Sequence, residues 1–125
     1  MSLVLPLDPG TAAEARHFVR RHAHVHGLDH QTEETAELLT SELVTNAVIH
    51  GRSSVSVTVS ATPTQCLVEV GDDNPRLPLV LEPDEQSLNG RGLAIVCGLA
   101  DACGTYPHAD GKVVWFQLHL TAVPC

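Results

Sequence analysis

At 125 residues, with 43% apolar and 18% charged residues, the chain is sized and composed for one globular domain, residues 1–125, with a single two-layer core. A formal charge of -8 argues against a broad nucleic-acid or anionic-membrane surface and is compatible with a basic protein partner. No run approaches the roughly 18 apolar residues of a membrane span, and the amino terminus lacks the basic start of a signal peptide. The four cysteines, Cys66, Cys97, Cys103 and Cys125, show no CxxC spacing. A cytoplasmic protein with buried free thiols is therefore expected, rather than a zinc site or a disulfide framework.

Leu3-Val4-Leu5 reads as a short strand, broken by Pro9-Gly10. Thr11 and Glu14 have capping-box spacing for a first helix, whose apolar side is Ala12, Ala15, Phe18, Val19 and His22 and which stops at Gly27. Within it His22 and His26 share a face that could hold a metal, although a polar, partly frayed helix end is the plainer reading. Asp29 caps a second helix, with Glu33 and Glu34 in its opening turns where the dipole favours anions, running to Gly51. Val55, Val57, Val59 and Ala61 alternate with Ser and Thr in a half-buried strand. After a turn at Pro63-Thr64, Cys66, Val68 and Val70 form a second, ending at Gly71-Asp72-Asp73-Asn74-Pro75.

Residues 75 to 89 carry three prolines and three acids, the composition of a long functional loop. Gly90-Arg91-Gly92 opens a third helix from Leu93 to about Ala102, and Val113 to Leu120 is the last strand. Helices covering one face of a mostly antiparallel sheet make an α+β two-layer sandwich.

Three places in this framework carry chemistry. On the second helix, Glu42, Asn46 and His50 fall within about 80° of one another, beside the apolar stripe Ala36, Leu39, Leu43 and Ala47. An amide oxygen one turn from a carboxylate can ligate a hard cation while the carboxylate polarises a hydroxyl; alone, the pair also fits a solvated helix face. Asp72, at a strand end, is either a turn residue or an acceptor for an exocyclic amine such as adenine's. Gly90 and Gly92, at a helix start, expose backbone N–H groups to which phosphate is drawn.

Taken together, Ser41-Glu42-Leu43-Val44-Thr45-Asn46-Ala47 with His50-Gly51, Val70-Gly71-Asp72-Asp73-Asn74-Pro75, Gly90-Arg91-Gly92-Leu93-Ala94-Ile95-Val96 and Gly111-Lys112-Val113-Val114-Trp115 resemble the Bergerat-type ATPase fold of the histidine kinase-like ATPase superfamily. The likeness is strongest to small anti-sigma-factor serine/threonine kinases and covers about residues 3 to 120. It implies ATP and Mg2+ as cofactors, with Glu42 as general base and Asn46 holding Mg2+ against the phosphates. It also implies that Asp72 reads the adenine amine, that Gly90, Arg91, Gly92 and Leu93 contact phosphate, and that residues 75–89 form an ATP lid.

The partners implied are a sigma factor and a STAS-type anti-anti-sigma protein, and the family often forms homodimers. A module that binds nucleotide only to control protein interactions is the alternative. The chain departs from the family pattern at Asn74-Pro75, where spaced glycines are usual, and at Lys112-Val113, where a Thr is common. The departures put one adenine hydrogen bond at risk, and Glu82, Asp84 and Glu85 of the lid should repel phosphates. Weak nucleotide affinity, on the order of tens of micromolar or poorer, is expected.

Overall fold

The computed structural model describes residues 1–50, with His50 by its backbone alone, 53–74, 96–109 and 111–120. In chain order these form β1 (Ser2–Pro6), α1 (Thr11–Val25), α2 (His30–His50), β2 (Ser54–Ala61), β3 (Gln65–Asp72), β4 (Ala102–His108) and β5 (Gly111–His119). The strands make one antiparallel sheet in the order β1-β2-β3-β5-β4. Successive side chains in a strand alternate between faces. Val55, Val57 and Val59, Cys66, Val68 and Val70, and Phe116 and Leu118 thus all reach one face, where α1 and α2 cover them. The α+β two-layer sandwich is the architecture observed.

The helices follow their local signals closely. Ala36, Leu39, Leu43, Val44 and Ala47 make the buried stripe of α2, and Ala15, Phe18, Val19 and Ala23 that of α1. Each apolar residue recurs after three or four positions, so each helix presents a single seam to the core. Gly27, at φ +72°, ends α1. Its N–H donates to the His24 carbonyl at 3.1 Å and that of Leu28 to the Ala23 carbonyl at 3.0 Å, the crossed pair that satisfies a helix's last carbonyls.

Asp29 then starts α2, accepting from the Thr32 N–H at 2.8 Å and the Thr32 hydroxyl at 2.9 Å. Those donors hold its carboxyl below the usual range, the backbone bond most of all. Across the helix pair, Arg16 Nη1 donates to Ser41 Oγ at 3.1 Å and Arg20 Nη2 to Glu37 Oε1 at 2.8 Å.

Three expectations fail. The capping box does not form: Gly10 is the N-cap of α1, without a side-chain capping bond. Thr11 Oγ1 is diverted to the Pro6 carbonyl and accepts from the Asp8 N–H at 3.2 Å, which ties the β1–α1 turn instead. The third helix does not reach Ala102. Among the described residues it covers 96–99, and Ala102–His108 is a strand. β4 has no alternating pattern of its own; Gly104 and Pro107 suit an edge, where one row of backbone groups needs no partner, and pairing to β5 makes it a strand.

The third failure follows from the second. On a continuous helix Cys97 and Cys103 would be about 9 Å apart along the axis and on different faces. Because the chain reverses after Leu99, their Cα atoms lie 5.4 Å apart and the sulfurs form a disulfide. Cys66 is free and buried, and burial pushes its thiol up to about 11; Cys125 lies outside the described residues.

His22 packs on Phe18, ring centroids 5.1 Å apart, and stacks on His26 at 5.8 Å. Among the described residues no three His, Cys, Asp or Glu side chains gather as a metal site, and no helix is long and apolar enough to cross a membrane.

Candidate functional site

Connectivity brings the first two boxes to one end of the sheet. His50 ends α2 and Ser54 begins β2, so the carboxy-terminal turn of α2 lies within about 11 Å of Ser53 whatever path the chain takes between them. Ser53 Oγ in turn donates to the Asp73 carboxylate, just past the end of β3. Val55 pairs with Asp72, and Asp72 with Lys112. Asn46, about 6 Å along the axis before His50, is thereby at the same end as Asp72.

Alternation settles the faces. Asp72 follows Val68 and Val70 on the side covered by the helices, and Lys112 precedes Val114, Phe116 and Leu118 on that same side. Glu42 and Asn46 are both half-buried, between the sealed stripe of Leu39, Leu43 and Ala47 and the solvent side of α2 at Thr45 and Ile49. Their donors are a carboxylate and an amide oxygen, hard ligands that suit Mg2+ and do not suit a soft metal.

Asp72 is not simply exposed at a strand end. Its side chain is 5% exposed and meets the Lys112 ammonium, 7% exposed, with Nζ 2.9 Å from Oδ2 and 3.1 Å from Oδ1. The Asn74 N–H donates to Oδ1 at 2.8 Å, and Lys112 Nζ also donates to the Asn74 carbonyl at 3.1 Å. The ammonium therefore has an acceptor for each of its three protons. Among the described ion pairs this is the one with both side chains under a tenth exposed.

Gly111 makes the approach possible. A Cβ there would collide with the Asp72 carbonyl and come within 2.8 Å of the Asp73 Cα. A shallow cleft of about 290 Å3 opens at the same sheet end, lined by Val4, Ser56, Gly71 and Val113 on the face away from the helices together with Asp72 and Lys112.

Of the expected residues, the structure brings Asn46 and Asp72 to one end and one side of the sheet, with Glu42 one turn before Asn46 on the same side of α2. Gly90, Arg91, Gly92, Leu93 and the lid at 75–89 lie outside the described residues. The partner of Asp72 was missed, although a signal existed. Lys112 is the one lysine in the sequence, and the alternation that buries Phe116 and Leu118 turns it inward, where an ammonium needs an anion.

An open antiparallel sheet with helices on one face is the α+β architecture of the Bergerat class. The family model described as histidine kinase-like ATPase domain matches residues 5–118. The chain belongs to that family. No curated protein is significantly similar to it. Among solved structures, it is similar to the RsbU and RsbW domains of Rv1364c from Mycobacterium tuberculosis, with 20% identity and a TM-score of 0.67 over 96% of this chain. It spans 32% of that longer chain. At that identity the likeness is one of fold.

Proposed function

We propose that this domain, residues 1–125, is a cytoplasmic serine/threonine kinase of the anti-sigma-factor type, transferring the γ-phosphoryl group of Mg-ATP to a Ser or Thr of a STAS-type anti-anti-sigma partner. The observation that carries the proposal is the placement of Glu42 and Asn46. They stand one turn apart at the margin of a sealed helix stripe, Asn46 at the sheet end that also holds Asp72.

Glu42 accepts the proton of the partner's hydroxyl as its oxygen bonds to the γ-phosphorus. The bond from that phosphorus to the bridging oxygen breaks, and ADP leaves. Asn46 lends an amide oxygen to Mg2+, whose contribution is to offset phosphate charge. Asp72 accepts from the adenine amine, while the backbone of Gly90 and Gly92, with Leu93 and the Arg91 side chain, holds the phosphates. A charge of -8 suits a basic face on a sigma-factor partner.

A second reading is a nucleotide-dependent interaction module without transfer, which would use the same site residues. Transfer of labelled phosphate to a co-encoded STAS protein, with and without Mg2+, separates the two. The kinase reading expects Mg2+-dependent transfer that Glu42→Ala reduces by about 100-fold or more while Mg-ATP binding persists. Binding without transfer to any such partner supports the module.

A further inference from the structure

We propose that Lys112 is an affinity- and specificity-determining residue of the nucleotide site. Its ammonium is an intramolecular competitor of the purine amine for the Asp72 carboxylate, so that ATP binds by displacing it. This rests on Asp72 as the base reader, the reading given above.

The competition follows from donor counting together with burial. A carboxylate offers about four lone-pair positions, each in a set direction. Oδ1 already serves the Asn74 N–H at 2.8 Å and Lys112 Nζ at 3.1 Å, and Oδ2 serves Nζ at 2.9 Å. With Asp72 5% and Lys112 7% exposed, the ammonium covers the carboxylate as well as bonding to it. Three of the four positions are thus filled, and the fourth, on Oδ2, is buried with the rest of the side chain. A purine amine must therefore move the ammonium aside to reach it, and binding is weakened by the cost of that move. The third donor bond of Lys112, to the Asn74 carbonyl at 3.1 Å, holds the ammonium in place from the turn side.

The arrangement also sets a preference. A carboxylate that is neutralised by Lys112 repels a guanine carbonyl less than a bare one does. Lys112 therefore narrows the choice between adenine and guanine at the same time as it lowers affinity for adenine.

Because Lys112 is the one lysine of the chain, its accessibility can be read directly. Amine acylation of the intact protein, followed by peptide mass analysis, reports Lys112 separately from the amino terminus. The proposal expects slow labelling of the free protein and at least about fivefold faster labelling in saturating Mg-ATP. Calorimetry on Lys112→Thr should show Mg-ATP binding tightened about tenfold or more, with Mg-GTP binding tightened much less. Lys112→Arg, which keeps a cation beside Asp72 with a different shape, should tighten Mg-ATP binding less than Lys112→Thr does.

Labelling unchanged by bound ATP, or equal ATP affinities in the parent and Lys112→Thr at a temperature where both are folded, overturns the competition while leaving ATP binding intact. Loss of affinity for both nucleotides in Lys112→Thr, with unfolding excluded by circular dichroism, also overturns it and makes Lys112 a support of the site. Absence of any nucleotide binding by all three proteins overturns the ATP reading itself.

Discussion

The two ends of the sheet are held by different kinds of interaction. At the end where β3 begins and β5 finishes, exposed and half-buried backbone hydrogen bonds tie the turns and strand ends together. The Thr62 N–H donates to the Gln65 carbonyl at 2.8 Å, the Leu120 N–H to the Thr64 carbonyl at 2.9 Å, and the Asp101 N–H to the Gln117 carbonyl at 2.9 Å. These groups are near solvent, and water can replace any of them at a net loss of about 1 kcal/mol or less.

At the other end, where β3 finishes and β5 begins, a buried cation and anion from strands 40 residues apart hold each other and the turn at Asn74. A glycine is packed against backbone there as well. Charges out of water are a poor way to gain net stability, since desolvation offsets their attraction. Among the described residues a buried ion pair stands at this end alone.

That contrast can be tested from its strongest side first. Lys112→Met leaves the Asp72 carboxylate buried without a counter-charge and should destabilise the protein by about 3–5 kcal/mol in urea titration. Asp72→Asn combined with Lys112→Met should recover most of that loss. A double variant as unstable as the single one would mean that lysine packing, not charge, holds this end.

Gly111→Ala comes next. Its Cβ meets the Asp72 carbonyl and the Asp73 Cα, backbone that cannot step aside as a side chain could. A loss of about 1–3 kcal/mol or more is expected, against about 1 kcal/mol or less for Thr62→Ala at the other end. Equal losses would remove the distinction between the ends.

The smallest effect concerns the far end of α2. Asp29→Ala removes the cap on the Thr32 N–H and should cost about 1 kcal/mol near neutral pH. The folded carboxyl is held below its ordinary value of 3.8. The cap's contribution is therefore present above about that pH and is lost as pH falls through the lower, folded value. The gap between parent and variant should close in acid melts, and a gap unchanged at pH 2–3 would show that the charge plays no part.

The glycine and aspartate that separate α1 from α2, the buried stripe of α2, and the serine–valine alternation of β2 were all legible in the residues alone. Each depends on a periodicity or a cap within a few positions of chain, and local geometry decides those. Glu42 and Asn46 were legible for the same reason, as neighbours one turn apart beside that stripe. β4 was not legible, because Ala102-Cys103-Gly104-Thr105 has no strand period and becomes a strand by pairing with β5.

The Cys97–Cys103 bond was hidden with it, since helix continuation would have kept those sulfurs on separate faces. Asp72 could be named as a site residue from its turn and box, but the state of its carboxylate could not. That state depends on the register that sets Asp72 opposite Lys112, and register is a property of the assembled sheet. A slip of one residue would turn every side chain of β5 to the other face and leave both charges unpaired. Local sequence determined which groups this protein could use; the pairing of distant strands decided which of them already hold one another.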